Sequence, residues 1–118
     1  MRAAIAAAVL TTLLATASAG AEQPWRVGER GTLRLPLEAC SSYDDWARFE
    51  MLRFRQNDPE AAIKFLDQHC PTTLNGQVIV EQVADAPPDI PISSAPCLRP
   101  VGNPNGCLWL DSSWLQRK

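Results

Sequence analysis

Residues 38–70 read EACSSYDDWARFEMLRFRQNDPEAAIKFLDQHC, a helix-forming segment with Cys40 near its start and Cys70 at its end. Ser42 is placed as an N-cap, and Asp45, three residues on, can reach back to it. Asp44 and Asp45 also put negative charge in the first turn, where it complements the helix dipole. The run from Trp46 to Arg55 is rich in helix formers and free of Gly and Pro. Asp44 with Arg48, and Glu50 with Arg53, have the spacing of surface ion pairs, each contributing a few tenths of a kcal/mol. At about 100° per residue, Tyr43, Ala47, Met51 and Phe54 share one face while Phe49 and Leu52 point elsewhere, so this helix is expected to be covered on more than one side.

The first helix should stop near Gln56-Asn57. Asp58-Pro59 restarts the chain, with Asp as cap and Pro at the first helical position, where its missing donor costs nothing. In the second helix Ala62, Ile63, Phe65 and Leu66 form an apolar stripe, with Glu60, Lys64, Asp67 and Gln68 opposite, and Pro71 ends it. Two helices joined by so short a turn run antiparallel and return Cys70 toward Cys40. Of the three pairings open to four cysteines, this favours Cys40–Cys70 and leaves Cys97–Cys107. The first bridge closes a loop worth roughly 3–4 kcal/mol on the chain-entropy account.

Outward from this segment, Met1-Arg2, the apolar residues 3–14 and the small residues 15–19 have the layout of a secretory signal peptide spanning 1–19, with cleavage after Ala19 or Ala21. The rival, a retained membrane anchor, asks for a longer and more apolar run. No cysteine stands at the cleavage point for lipid attachment. About 97–99 of the 118 residues would remain, enough for one domain with one modest core. Four cysteines in an exported chain of this size imply two disulfides, in the periplasm or secreted. They contain no C-x₂₋₄-C pair, which argues against a metal site. Without Arg2, ten basic residues face thirteen acids, a balance that argues against nucleic acid as a partner. It equally gives no basic run for an anionic membrane.

Residues 20–31 are polar and broken by Pro24 and glycines, a flexible lead-in in which Trp25 is best placed as a packing residue. Residues 32–37 alternate, with Leu33, Leu35 and Leu37 on one face, and Pro36 implies a sheet edge or a bulge. Asn75-Gly76 has turn chemistry, and residues 77–83 are the best strand in the chain. Residues 84–96 carry four prolines and read as a stiff, extended loop unable to join a sheet centre. Residues 97–101 and 106–110 suggest two further strands, with a helical turn at 111–115. An Asn105-Gly106 two-residue turn would leave Cys97 and Cys107 out of direct opposition.

The succession Leu37-Glu38-Ala39-Cys40, Asp58-Pro59-Glu60-Ala61-Ala62, His69-Cys70, Gly76-Gln77-Val78-Ile79-Val80-Glu81, Leu108-Trp109-Leu110 and Trp114-Leu115 resembles small exported bacterial proteins with an SH3-like barrel. Cys97, Cys107 and the Pro-rich loop lie outside that likeness. The resemblance implies an α+β fold: a small SH3-like β-barrel over residues 32–118, disulfide-bonded, with a two-helix hairpin inserted after its first strand at about 42–70. It implies a fold rather than an activity.

Chemistry is thinly signalled. His69 is the single histidine, and on a helix end it is better explained by packing than as a base or ligand. A Cys–His nucleophile would need Cys70 free. Asp44 and Asp45 are accounted for as a cap, Glu81 as a solvated strand residue, and Ser41-Ser42 and Ser112-Ser113 stand in no G-x-S-x-G setting. The glycines have no phosphate-loop spacing. The aromatics are the stronger signal. Trp109 points to the opposite sheet face from Leu108 and Leu110, and by the resemblance Trp109 and Trp114 could floor a groove, with Trp46 and Tyr43 as further candidates. Burial in the core is the competing role for each.

The leading expectation is a monomeric, non-catalytic exported module without a cofactor that binds an envelope protein or cell-wall component. A small hydrolase using His69 with a carboxylate such as Asp67 is one alternative. A structural or inhibitory partner of an envelope enzyme, presenting residues 84–96, is another.

Overall fold

A computed structural model describes residues 23–103 and 106–117. The expected signal segment lies outside the described residues, as do Pro104 and Asn105 of the last turn. Strand β1 (Arg30–Ala39) leads into helix α1 (Tyr43–Glu50), a π-helical turn (Met51–Arg55) and helix α2 (Pro59–His69). Strands β2 (Thr72–Asp85), β3 (Ser94–Pro100) and β4 (Leu108–Trp109) follow, then a 3₁₀ turn (Ser112–Trp114) and β5 (Gln116–Arg117). The described strands form one antiparallel sheet in the order β4-β3-β2-β1-β5, so the protein is α+β.

Local sequence accounts for the helix ends. The Ser42 hydroxyl accepts from the Asp45 N–H at 3.1 Å, and the Asp58 carboxylate accepts from the Ala61 N–H at 3.1 Å, with Pro59 opening α2. Asn57 joins the two with φ of 50°, a left-handed conformation that Asn tolerates. On α2, Ala62 is buried, but Ile63 is 59% exposed and stands outside the expected stripe.

The strands depart from the sequence reading in three places. Leu33 pairs with Gly76 and Leu37 with Leu74, so Arg34, Leu35 and Pro36 face Asn75 alone. This is the bulge that Pro36 implied, and it breaks the alternation: Leu33 is buried while Leu35 is 58% exposed. Asn75-Gly76 is not a turn. It lies inside the 14-residue β2 opposite the bulge, and Gly76 at φ of 80° lets the strand bend there. Residues 84–96 are not all loop, because Asp85 pairs with Ser94 and Pro96 sits in β3 opposite Val83. Pro96 is tolerated because β4 is too short to reach it: only Cys97 and Leu98 pair with β4 residues, and the Pro96 carbonyl accepts from Leu110 N–H at 3.3 Å.

Both disulfides join residues close to the sheet. Cys40 is linked to Cys70 and Cys97 to Cys107. Cys97 stands opposite Trp109, with Cys107 just ahead of β4. Beyond β1, Cys40 and Trp109 exchange two backbone hydrogen bonds, 3.0 Å from Cys40 N–H and 2.7 Å from Trp109 N–H. The sheet therefore curls until its β4 edge touches the chain leaving β1.

Two apolar clusters result. One lies under the sheet and includes Leu33, Leu74, Val78, Val80, Leu98 and Leu110. The other joins helices to sheet through Cys40, Trp46, Cys70, Ala95, Cys97 and Trp109. Trp109 enters the second while Leu110 enters the first, the opposed faces expected of neighbouring strand residues. Residues 23–29 are fastened rather than loose. Trp25 is buried under the Arg117 guanidinium, 4.1 Å from its ring, and Gly28 N–H donates to the Val80 carbonyl at 2.8 Å.

Gly31 shows where backbone elements touch. A Cβ there would meet Leu115 Cδ1 at 2.7 Å and the Gln116 carbonyl at 3.0 Å, and Leu115 is itself buried. Gly31→Ala is therefore expected to lower unfolding stability by about 1–3 kcal/mol in urea titration. An unchanged midpoint would show that β5 and the Leu115 turn do not pack on β1 as described.

Candidate functional site

Helix α1 meets the sheet through Trp46, which is almost completely buried. Removing some 200 Å² of indole surface from water contributes roughly 5 kcal/mol, far more than a surface ion pair. That burial fixes the rotation of the helix, and Glu50, one turn on, is carried inward with it. Glu50 is 0% exposed. The surface pair expected for Glu50 and Arg53 is thus a buried-to-surface contact, Arg53 Nη1 donating to Glu50 Oε1 at 3.3 Å. The other expected pair, Asp44 with Arg48, is not among the ion pairs of the described residues. The Arg48 guanidinium lies 5.8 Å from the Phe65 ring instead.

The π-helical turn begins immediately after Glu50, with Gln56 N–H donating to the Met51 carbonyl at 3.0 Å. Such wide turns recur at functional sites because they re-aim side chains. Here the turn carries Arg53, whose Nη1 also lies 4.0 Å from Asp111 Oδ2. Asp111 is buried and caps the 3₁₀ turn, its Oδ1 accepting from Ser113 N–H at 3.0 Å. Arg53 therefore stands between two buried carboxyl groups that are far apart in sequence.

These groups border a cavity of about 480 Å³ enclosed by α1, the bulged part of β1, the end of β4 and the 3₁₀ turn. Trp46, Trp109 and Trp114 line it together with Glu50, Arg53 and Asp111. Its size is that of a site for a small organic ligand. Of these, Trp46 and Trp109 are buried, whereas Trp114 is 48% exposed. Tyr43 is not in the lining. Its ring packs edge-on against Trp109 at 5.4 Å between centroids, and its hydroxyl donates to the Asp85 carbonyl at 2.6 Å. It braces α1 against the end of β2.

Burial is the main reason the Glu50 carboxyl is pushed up to about 7, with Asp111 adding in the same direction and Arg53 opposing. Glu38, also in the cavity wall, is raised too, by burial first and then by Asp67. Two buried polar atoms have no hydrogen-bond partner among the described residues: Glu50 Oε2 and Trp46 Nε1. His69 is not in the lining of this cavity. It is exposed, stacks on Phe65 at 4.3 Å, and makes no hydrogen bond or ion pair with a carboxylate among the described residues. No cluster of described His, Cys, Asp and Glu residues has the makings of a metal centre, and no helix there is long and apolar enough to cross a membrane.

The expected aromatic residues thus divide, three to the cavity and Tyr43 to its support. Glu50, Arg53 and Asp111 were not singled out as site residues. Glu50 was within reach of the helical angle, since seven residues after Tyr43 it returns to within about 20° of it. Nothing local marks Asp111 as more than a cap. Comparison with known protein families, curated proteins and solved structures finds no match to this chain.

The raised Glu50 value has a definite consequence for stability. Below pH 4.5 the carboxyl is protonated folded or unfolded; between 4.5 and about 7 only the folded chain keeps the proton. Stability therefore falls as pH rises through that window, by a total of about 3 kcal/mol, and levels off above it. Glu50→Gln should match the parent near pH 4.5 and exceed it at pH 8 in chemical unfolding. Parallel profiles for the two proteins would show that Glu50 is not held protonated.

Proposed function

We propose that this protein is an exported, non-catalytic binding module, periplasmic or secreted. It is built as a small SH3-like barrel with a helical-hairpin insertion, and it holds part of an envelope protein or cell-wall component in the tryptophan-lined cavity. The observation that carries this reading is the cavity itself. Three indoles border it, that of Trp114 half exposed, with Glu50, Arg53 and Asp111 among the other lining residues. That combination of aromatic wall and few polar groups is characteristic of ligand pockets. The two disulfides agree with an oxidising compartment. The curl that brings Trp109 against Cys40 supports the barrel.

A hydrolytic reading gains one supporting observation, though not at His69. A carboxyl near neutrality with a second acid nearby is a setting used by general acids. Against it, Arg53 stands between Glu50 and Asp111, and Glu50 is closed to water.

Affinity capture from an envelope extract, with Trp114→Ala beside the parent, tests the binding reading. Trp114 is exposed enough that its removal should leave the unfolding midpoint within about 1 kcal/mol of the parent, while specific capture falls about tenfold or more. Equal capture by both proteins would sink the proposal, as would a hydrolytic activity that His69→Ala or Glu50→Gln abolishes.

A further inference from the structure

Arg53 stands where two cavities adjoin. Beside the tryptophan-lined space lies a smaller one of about 260 Å³, bordered by Phe54, Pro91 and Ser112 among others. The residues that line both are Arg53 and Asp111 alone, so this pair of side chains forms the partition between them. The partition is loosely made. Arg53 Nη1 lies 4.0 Å from Asp111 Oδ2 and 3.3 Å from Glu50 Oε1. Both distances exceed the roughly 2.7–2.9 Å of a settled charge-assisted bond. One guanidinium nitrogen therefore has two carboxyl partners and is held firmly by neither.

The charge on Glu50 decides between them. While Glu50 is protonated, it offers the guanidinium only a dipole, and the full charge of Asp111 is the stronger attraction. An ionised Glu50 reverses the order. It is closed to water, with Oε2 unpartnered among the described residues, whereas Asp111 keeps the Ser113 N–H as a donor. A buried charge without a counter-ion is the costlier state, so the guanidinium moves to Glu50.

The charged groups that act on Glu50 are Arg53, from the π-helical turn, and Asp111, from the chain after β4. Glu38 of β1 borders the same cavity, but burial and Asp67 of α2 govern its carboxyl. Helix α2 gives this wall Leu66, and Pro91, Ser93 and the 3₁₀ turn bring no charge. Burial places the Glu50 titration at about 7, near neutrality.

Resting on the binding reading above, we propose that Arg53 gates the tryptophan-lined cavity. It closes on Asp111 while Glu50 carries its proton, and it swings to Glu50 when that carboxyl ionises, joining the two cavities into one.

Crystal structures at about pH 5.5 and about pH 8.5, with a ¹⁵N titration between them, test the gate. Arg53 is expected on Asp111 at the lower pH and on Glu50 at the higher, with the cavities continuous only at the higher. In solution the Arg53 Nε–H and Ser113 N–H resonances should step together with a midpoint near 7, the second because Ser113 reports on Asp111. Glu50→Gln should hold both resonances at their low-pH positions throughout, and Glu38→Gln should leave the step in place. The gate is overturned if Arg53 keeps one partner at both pH values, or if the cavities stay separate after it moves. It is equally overturned if Glu50→Gln retains the step or Glu38→Gln removes it. Loss of the step alongside Trp114-dependent capture would remove this inference and leave the binding module standing. An intact step with capture indifferent to Trp114 would instead remove the binding reading and leave the exchange of Arg53 between its two partners.

Discussion

Cys40 is the point at which this small protein is tied together. Its side chain is bonded to Cys70 at the end of α2, and its backbone exchanges two hydrogen bonds with Trp109 of β4. Three elements remote in sequence, the exit of β1, the exit of the helical segment and the short strand β4, therefore meet at one residue. A bridge across a loop of this length contributes roughly 3–4 kcal/mol on the chain-entropy account. That is a large share of what a domain with one modest core can muster. The bridge also fixes position. With both ends of the helical segment held at one place, α1 has little choice but to lie across the rim of the sheet, and Trp46 has one cluster to enter.

The burial of Glu50 follows from that placement. Seating Trp46 contributes roughly 5 kcal/mol, whereas holding the Glu50 carboxyl protonated at neutral pH costs about 3 kcal/mol. The indole term wins, and the acid goes inside, neutralised rather than solvated. The consequence is a buried carboxyl with one oxygen unpaired among the described residues, and the Trp46 indole nitrogen is unpaired there too. A domain selected only for stability would do better with an apolar residue at position 50.

Several features were legible because they depend on a few neighbouring residues. Ser42 and Asp58 announce their helices through their own side chains, and Pro36 announces a bulge because it cannot donate to a ladder. Trp109 and Leu110 separate onto two faces because strand residues alternate. Other features misled because a local signal met a distant partner. Asn75-Gly76 has the chemistry of a turn, yet opposite the β1 bulge the same freedom at Gly76 serves to bend a continuous strand. Pro96 looked excluded from a sheet, but the shortness of β4 leaves its position open. Leu35 was grouped with Leu33 and Leu37 by alternation, which the bulge then shifted.

By itself, the sequence determined the class of object: an α+β chain with two capped helices near its middle, β-forming runs before and after them, and four cysteines able to close on one another. Those properties reside in short-range conformational preference and in side-chain chemistry that any segment carries with it. Only the tertiary structure decided that Glu50, Arg53 and Asp111 would come together beside three tryptophans. That meeting joins residues from positions 46 to 114, and it is set by the strand register, the curl that brings Trp109 to Cys40, and the rotation that Trp46 imposes on α1. None of these is encoded in any one stretch, because each is a balance among contacts that exist only once the chain has closed.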